Sequence, residues 1–232
     1  MHTYAAQLHE GHHRSGRTVF PLVEQFSAGR LTWWPQLGIG WYPVAAGVEP
    51  YDQEYFDRFD RDAATPLGLS LMQGRVNFVE AHYQGMLVDV GIGCGAFIAL
   101  RNARTGLTYG YDVNPAGIEW LNERELHVDP YLAQFDAVTL WDVLEHIPDY
   151  RPLLANVRQW LFVSLPIFSD AYHVLRSKHF RPTEHCHYFT REGLLYAMNL
   201  CGFRLAAESD FETALGREDI GTFAFRRVTD GG

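Results

Sequence analysis

Leu87-Val88-Asp89-Val90-Gly91-Ile92-Gly93-Cys94-Gly95-Ala96 decides the reading of this chain. The apolar run Met86–Val90 has the profile of a buried parallel strand, and it ends in alternating glycines. Glycine lets the backbone turn sharply from strand to helix and lets a ligand approach closely. Ala96–Arg104 then reads as a helix and Leu107–Tyr111 as a second strand. Further on, Asn114–Arg124 reads as a helix, with Asn114 as N-cap and Pro115 at its first position. Phe135–Trp141 and Leu161–Leu165 read as strands, Thr190–Leu200 as a helix, and Phe203–Glu208 with Thr222–Val228 as a closing pair of strands. Such alternation predicts an open, doubly wound α/β sheet with its ligand at the carboxyl ends of the strands.

Upstream, Tyr51–Tyr83 has helical spacing that Pro66 and Gly68 divide into two cap helices. Residues 1–50 carry little periodicity. Four histidines (His2, His9, His12, His13) read as a solvated stretch, and the segment around Trp33, Trp34 and Trp41 reads as an irregular aromatic cover. The organisation predicted is an arm over 1–50, cap helices over 51–83 and a ligand-binding domain over 84–232 with a lid near 166–190.

The chain has 232 residues, of which 47% are hydrophobic, which suffices for one sizeable core. A formal net charge of −9 disfavours a broad footprint on nucleic acid or an anionic membrane. Cys94, Cys186 and Cys201 are isolated, so neither a disulfide framework nor a cysteine zinc site is predicted. No apolar run approaches the ~20 residues a membrane span needs, and no segment resembles a signal peptide. A cytoplasmic protein without membrane contact is the expectation.

The glycine spacing alone is ambiguous. Gly91-x-Gly93-x-x-Ala96 satisfies a dinucleotide fingerprint, and Gly91-x-Gly93-x-Gly95 satisfies a methyltransferase one. Asp89, two residues before the first glycine, would repel a pyrophosphate but suits a ligand carrying an ammonium and a sulfonium. Asp112, ending the second strand, stands where an acid accepts hydrogen bonds from ribose hydroxyls, and fits either cofactor.

Four segments in order carry a resemblance: the glycine turn, Tyr109-Gly110-Tyr111-Asp112, the run Phe135–Pro148 containing Trp141-Asp142-Val143-Leu144-Glu145-His146, and Glu184-His185-Cys186-His187-Tyr188-Phe189-Thr190. Across roughly residues 86–205 the chain resembles the class I S-adenosylmethionine-dependent methyltransferases. The fourth-strand run is similar to that of the ubiquinone-biosynthesis-type and small-molecule members. The resemblance implies a Rossmann-like, mostly parallel sheet with a closing antiparallel hairpin, flanked by helices, and S-adenosyl-L-methionine as cofactor. It implies that Asp89 serves the methionine ammonium, that Gly91, Ile92, Gly93, Cys94 and Gly95 pack on the methionine moiety, and that Asp112 holds the ribose. Val113 and Asn114 would lie near the adenosine, with Trp141 and Asp142 on the methionine side. The stretch from Asp112 to Phe135 departs from the family by leaving room only for a clipped third strand near Leu126–Val128.

Methyl transfer is an in-line displacement in which positioning supplies much of the rate, helped by a general base for a protonated nucleophile. His146 and His185 stand at motif positions. Glu184-His185 resembles the acid-histidine pair of sugar C-methyltransferases, although the zinc module and large C-terminal domain of those enzymes are missing from the pattern. His185, Glu184 and His146 are therefore the catalytic candidates, weighed against simpler roles in shaping the lid and pocket. His173, His179, His185 and His187 crowd the lid, but their spacing matches no zinc or facial-triad pattern, and no metal is expected.

A small-molecule acceptor with an oxygen, nitrogen or carbon nucleophile is the first functional expectation. A nucleic-acid methyltransferase is the alternative, with Arg176, Lys178 and Arg181 as its only basic cluster and no Asn-Pro-Pro-Tyr-type motif after the fourth strand. A non-catalytic cofactor-binding subunit is the third, and a nicotinamide oxidoreductase the most distant.

Overall fold

The structure is a computed structural model that describes residues 22–26, 29–44, 51–104 and 107–228; the early histidine cluster lies outside them. Three short strands come first: β1 (Glu24–Phe26), β2 (Leu31–Trp34) and β3 (Ile39–Trp41). Helices α1 (Gln53–Ala63) and α2 (Pro66–Glu80) follow, divided where expected, with Thr65 accepting from the Gly68 N–H as N-cap. Then come β4 (Leu87–Val90), α3 (Ala96–Asn102), β5 (Thr108–Tyr111), α4 (Pro115–Asn122) and β6 (Phe135–Trp141). A 3-10 turn at Leu144–His146 leads to α5 (Arg151–Ala155) and β7 (Val157–Pro166). The chain closes with α6 (Ala171–Arg176), β8 (His187–Phe189), α7 (Arg191–Leu200), β9 (Phe203–Ser209), α8 (Phe211–Ala214) and β10 (Ile220–Arg227).

The main sheet has the order β5-β4-β6-β7-β10-β9, parallel through β7, with β10 antiparallel to both of its neighbours. Strands β4, β6 and β7 are mostly buried, β7 from Leu161 onward, because both faces of the sheet are covered there. Val88, Val90, Leu140, Leu161 and Val163 pack on one face with Leu153 of α5 and Leu194 and Met198 of α7. Leu87, Ala137, Trp141 and Phe162 pack on the other with Val76 and Val79 of α2 and Phe97 of α3. After β4 the chain adds β5 on one side and β6 on the other. The order therefore reverses at β4, and a crevice opens at the carboxyl ends of β4 and β6.

Two local expectations are corrected. The segment near Leu126–Val128 is a single bridge, Gly110 to His127, and not a strand, because only Gly110 exchanges hydrogen bonds with it. The N-terminal cover, expected as irregular, forms an antiparallel sheet in the order β1-β2-β3-β8. Its last strand comes from the lid, with Ile39 opposite Phe189 and Trp41 opposite His187. Trp33 and Trp34 are buried on opposite sides of this sheet, one against the cover and one against the main core. The two layers meet where a Cβ on Gly193 of α7 would come within 2.1 Å of the Gly38 carbonyl oxygen. Gly193→Ala is expected to force these backbones apart and cost roughly 1–3 kcal/mol, read by urea denaturation. Unchanged stability would show that the contact relaxes freely.

Candidate active site

Val90 ends β4, and Gly91, Gly93 and Gly95 all adopt positive φ, at 75°, 58° and 78°. At Gly91 and Gly95 space is also short: an added Cβ would meet Val143 at 2.4 Å and the Trp120 ring at 2.6 Å. Ile92 turns into the core with Ile98 and Leu121, and Cys94 is buried. On the next strand Asp112 folds back under the turn. Burial raises its carboxyl, and the backbone amides of Asn114, Val113, Ile92 and Gly93 draw it down again. The Asn114 N–H reaches it at 2.8 Å. Asn114 caps α4 as the sequence predicts, and its amide also donates to the Asp52 carbonyl, which ties α1 to this end of the crevice. Val113 points into solvent, 64% exposed.

Asp89 is buried beneath the turn and accepts a 2.6 Å hydrogen bond from Thr139 on β6, its neighbour in register. Burial dominates and lifts its carboxyl to about 7, against the pull of the Thr139 hydroxyl and the Arg75 guanidinium.

Beyond β6, Asp142 takes φ 57° and is gripped by two arginines. Arg75 of α2 reaches it at 2.7 Å and Arg217 at 3.0 Å. Both arginines also bind Glu212 of α8, which is fully buried. Burial alone would raise Asp142, but Arg217 and Arg75 override it and hold the carboxyl at about 2. Asp142, expected beside the methionine, thus belongs to an ion network whose other members, Arg75, Glu212 and Arg217, sequence reasoning did not single out. Trp141 packs edge-on against Phe97 at 5.5 Å, under the Arg75 guanidinium, and its buried indole N–H has no acceptor.

The 3-10 turn after Asp142 presents Glu145 and His146. The His146 ring meets His185 edge-on at 4.5 Å between centroids, and the Tyr51 hydroxyl lies 3.3 Å from His146 Nδ1. Burial lowers both imidazoles; His185, also repelled by His146 and Arg181, falls to about 3. Glu184 acts on His146 through its charge and a backbone hydrogen bond, while its carboxylate also faces Arg181 at 3.4 Å. Glu145 stands within reach of the ligand atoms of both rings. Its carboxylate is buried, Oε2 has no hydrogen-bond partner, and burial with the nearby Asp142 raises it well above the usual range. One ligand atom from each of Glu145, His146 and His185 lies within 4.8 Å of the others. The other lid histidines are spent on structure. His173 bonds the Ser169 N–H and Asp219, His179 faces the Glu218 carbonyl, and buried His187 faces the Ile147 carbonyl.

Helix α1 roofs the crevice. Phe59 lies where a Cβ on Gly93 would touch it at 3.4 Å, and the rings of Phe59, Tyr55 and Tyr51 run in contact from there to His146. A line of ring contacts thus connects the glycine turn at Phe59 with the histidine pair at Tyr51.

This arrangement has relatives. A family described as a methyltransferase domain matches residues 70–208, and the chain belongs to it. It is an S-adenosylmethionine-dependent methyltransferase of class I. The fold is similar to that of magnesium protoporphyrin IX methyltransferase from Synechocystis PCC 6803, solved with bound S-adenosylhomocysteine. The TM-score is 0.55 and the identity 16%, with 76% of this chain and 95% of that chain covered. A second similar structure is 1,6-didemethyltoxoflavin-N1-methyltransferase from Burkholderia thailandensis, at TM-score 0.55 and 16% identity, covering 82% and 96% of the two chains. A third, a methyltransferase from Archaeoglobus fulgidus, gives TM-score 0.52 and 17% identity, covering 75% and 100%. No curated protein sequence matches the chain. Among the described residues no helix is long and apolar enough to cross a membrane.

Arg75→Ala leaves Glu212 buried with half its partners. The expected loss is about 3–5 kcal/mol in chemical denaturation. A loss under about 1 kcal/mol, the range of an exposed ion pair, would overturn the view of this network as the anchor of the β6 end.

Proposed function

We propose that the protein transfers the methyl group of S-adenosylmethionine to a nucleophilic oxygen, nitrogen or carbon of a small organic acceptor. The observation that carries this reading is the line of rings that runs from Phe59 at the glycine turn through Tyr55 to Tyr51 at the histidine pair. The cofactor occupies the glycine end: Asp112 accepts from the ribose hydroxyls, Gly91–Gly95 pack on the amino-acid moiety, and Asp89 faces its ammonium. Val113 and Asn114 border the adenosine through their backbone. Trp141, with its unspent N–H, borders the methionine end, and Asp142 acts there by fixing the strand end.

The acceptor occupies the end walled by Tyr51, His146 and His185. Neutral imidazoles offer lone pairs that orient the nucleophile toward the methyl carbon, where alignment supplies most of the rate. A roofed, ring-lined crevice suits a small molecule better than a polymer. Of the three basic lid residues that favoured nucleic acid, Lys178 and Arg181 face Glu218 and Glu184.

The cofactor half is tested by calorimetry. Asp112→Ala is expected to weaken S-adenosylhomocysteine by about 1.5–3 kcal/mol, the worth of hydrogen bonds to a charged group; equal affinity would remove Asp112 from the ribose. An ammonium needs Asp89 ionised, so affinity falls as pH drops below about 7, approaching roughly tenfold per unit if one proton must leave. 5′-Methylthioadenosine, which lacks the ammonium, is the control. A parallel pH slope for both ligands would reject the assignment.

The acceptor half is tested by labelled-methyl transfer to pools of metabolites, nucleic acid and protein. Label is expected in the metabolite pool, and His185→Ala should lower turnover by about 10²-fold with cofactor affinity unchanged. Label in nucleic acid or protein alone would overturn the small-molecule reading.

A further inference from the structure

We propose that Glu145, His146 and His185 form a binding site for one divalent transition-metal cation, a first-row ion of the zinc, cobalt or manganese kind, on the acceptor side of the crevice. The inference deepens the functional reading above, on which it rests only for the identity of that side.

The three ligand atoms are within 4.8 Å of one another before any ion is present. A cation with ligands at about 2.0–2.2 Å draws such atoms together by small side-chain rotations. Two imidazoles and one carboxylate are a donor set that suits these ions and leaves coordination positions open. Each donor comes from a fixed element. Glu145 and His146 sit on the 3-10 turn behind the Arg75–Asp142–Arg217 anchor, and His185 sits two residues before β8.

The Glu145 carboxylate is the second, independent observation. It is 2% exposed, and its Oε2 is buried without a hydrogen-bond partner. Both nearby arginine charges that grip Asp142 are already bound to acids. A buried carboxylate with no direct ion-pair partner is costly to ionise, and proteins meet that cost by keeping the proton, by pairing or by metal coordination. A cation between Glu145 and two uncharged imidazoles removes that cost. The same ion would bind an acceptor oxygen or nitrogen at an open position, lower its proton affinity and aim it at the methyl carbon. His146 and His185 would then be ligands, with no base required among the side chains.

The test uses the full chain, stripped with chelator and titrated separately with Zn²⁺ and Co²⁺. One equivalent is expected to bind, with the Co²⁺ absorption spectrum reporting nitrogen and oxygen ligands. Glu145→Gln and His185→Ala are each expected to weaken the ion at least about 10–100-fold, while S-adenosylhomocysteine affinity stays unchanged as the check on folding. Combined replacement of His9, His12 and His13 by Ala should leave the stoichiometric ion in place. Loss of the ion on that replacement, retention of it in Glu145→Gln, or no binding at all would overturn the proposal. Binding is read without turnover, so the two readings fail separately. Methyl transfer in excess chelator with no ion bound would remove the metal and keep the enzyme. A bound ion with no methyl transfer to any pool would do the reverse.

Discussion

Asp142 is the constraint on which the rest of the site depends. It follows the central strand β6 directly, in a left-handed conformation, φ 57°, that costs a non-glycine residue of the order of 1 kcal/mol or more. Two guanidinium groups hold it there, one from the helix before the sheet and one from the loop before the last strand. Because the backbone reverses at that residue, the next turn lifts Glu145 and His146 over the crevice instead of continuing along the strand. The ion network therefore acts at a distance of three residues: it sets where a histidine and a carboxylate stand.

The same logic explains the division of the crevice. At its other end nothing is held by charge. Three glycines and the backbone amides around Asp112 shape a cradle whose walls are peptide groups, tolerant of whatever moiety the family's common cofactor presents. Peptide-built turns are set by local sequence, whereas the group of Tyr51, Glu145, His146 and His185 is assembled from segments far apart in the chain.

That contrast is why the sequence was legible in one half only. The parallel strands, the glycine turn, Asp112 and the Asn114 cap are local patterns, and their boundaries agree with the structure to within a few residues, except at β7, which is longer than its apolar core Leu161–Leu165. The N-terminal sheet escaped because strands of three or four residues are too short for a period to show, and tryptophans on both faces hid what alternation there was. Arg75, Glu212 and Arg217 escaped because the bond from Arg75 to Glu212 spans 137 residues of chain. Glu145 was in view but unmarked. Only the placement of His185 beside it gives that residue a meaning, and no spacing rule joins positions 145 and 185.

The pairing of β3 with β8 carries a consequence for how the enzyme comes into being. Residue 39 must find residue 189, and contacts so distant in sequence are disfavoured early in folding by the entropy of closing the loop between them. On a ribosome the β2–β3 hairpin leaves the exit tunnel long before the strand that completes its sheet. Through that interval the aromatic edge of the hairpin stays uncovered, a liability for edge-to-edge aggregation. The cofactor cradle, made of neighbouring βα units, has no such wait. The nascent chain can thus complete the glycine turn before it can complete the sheet of β1, β2, β3 and β8.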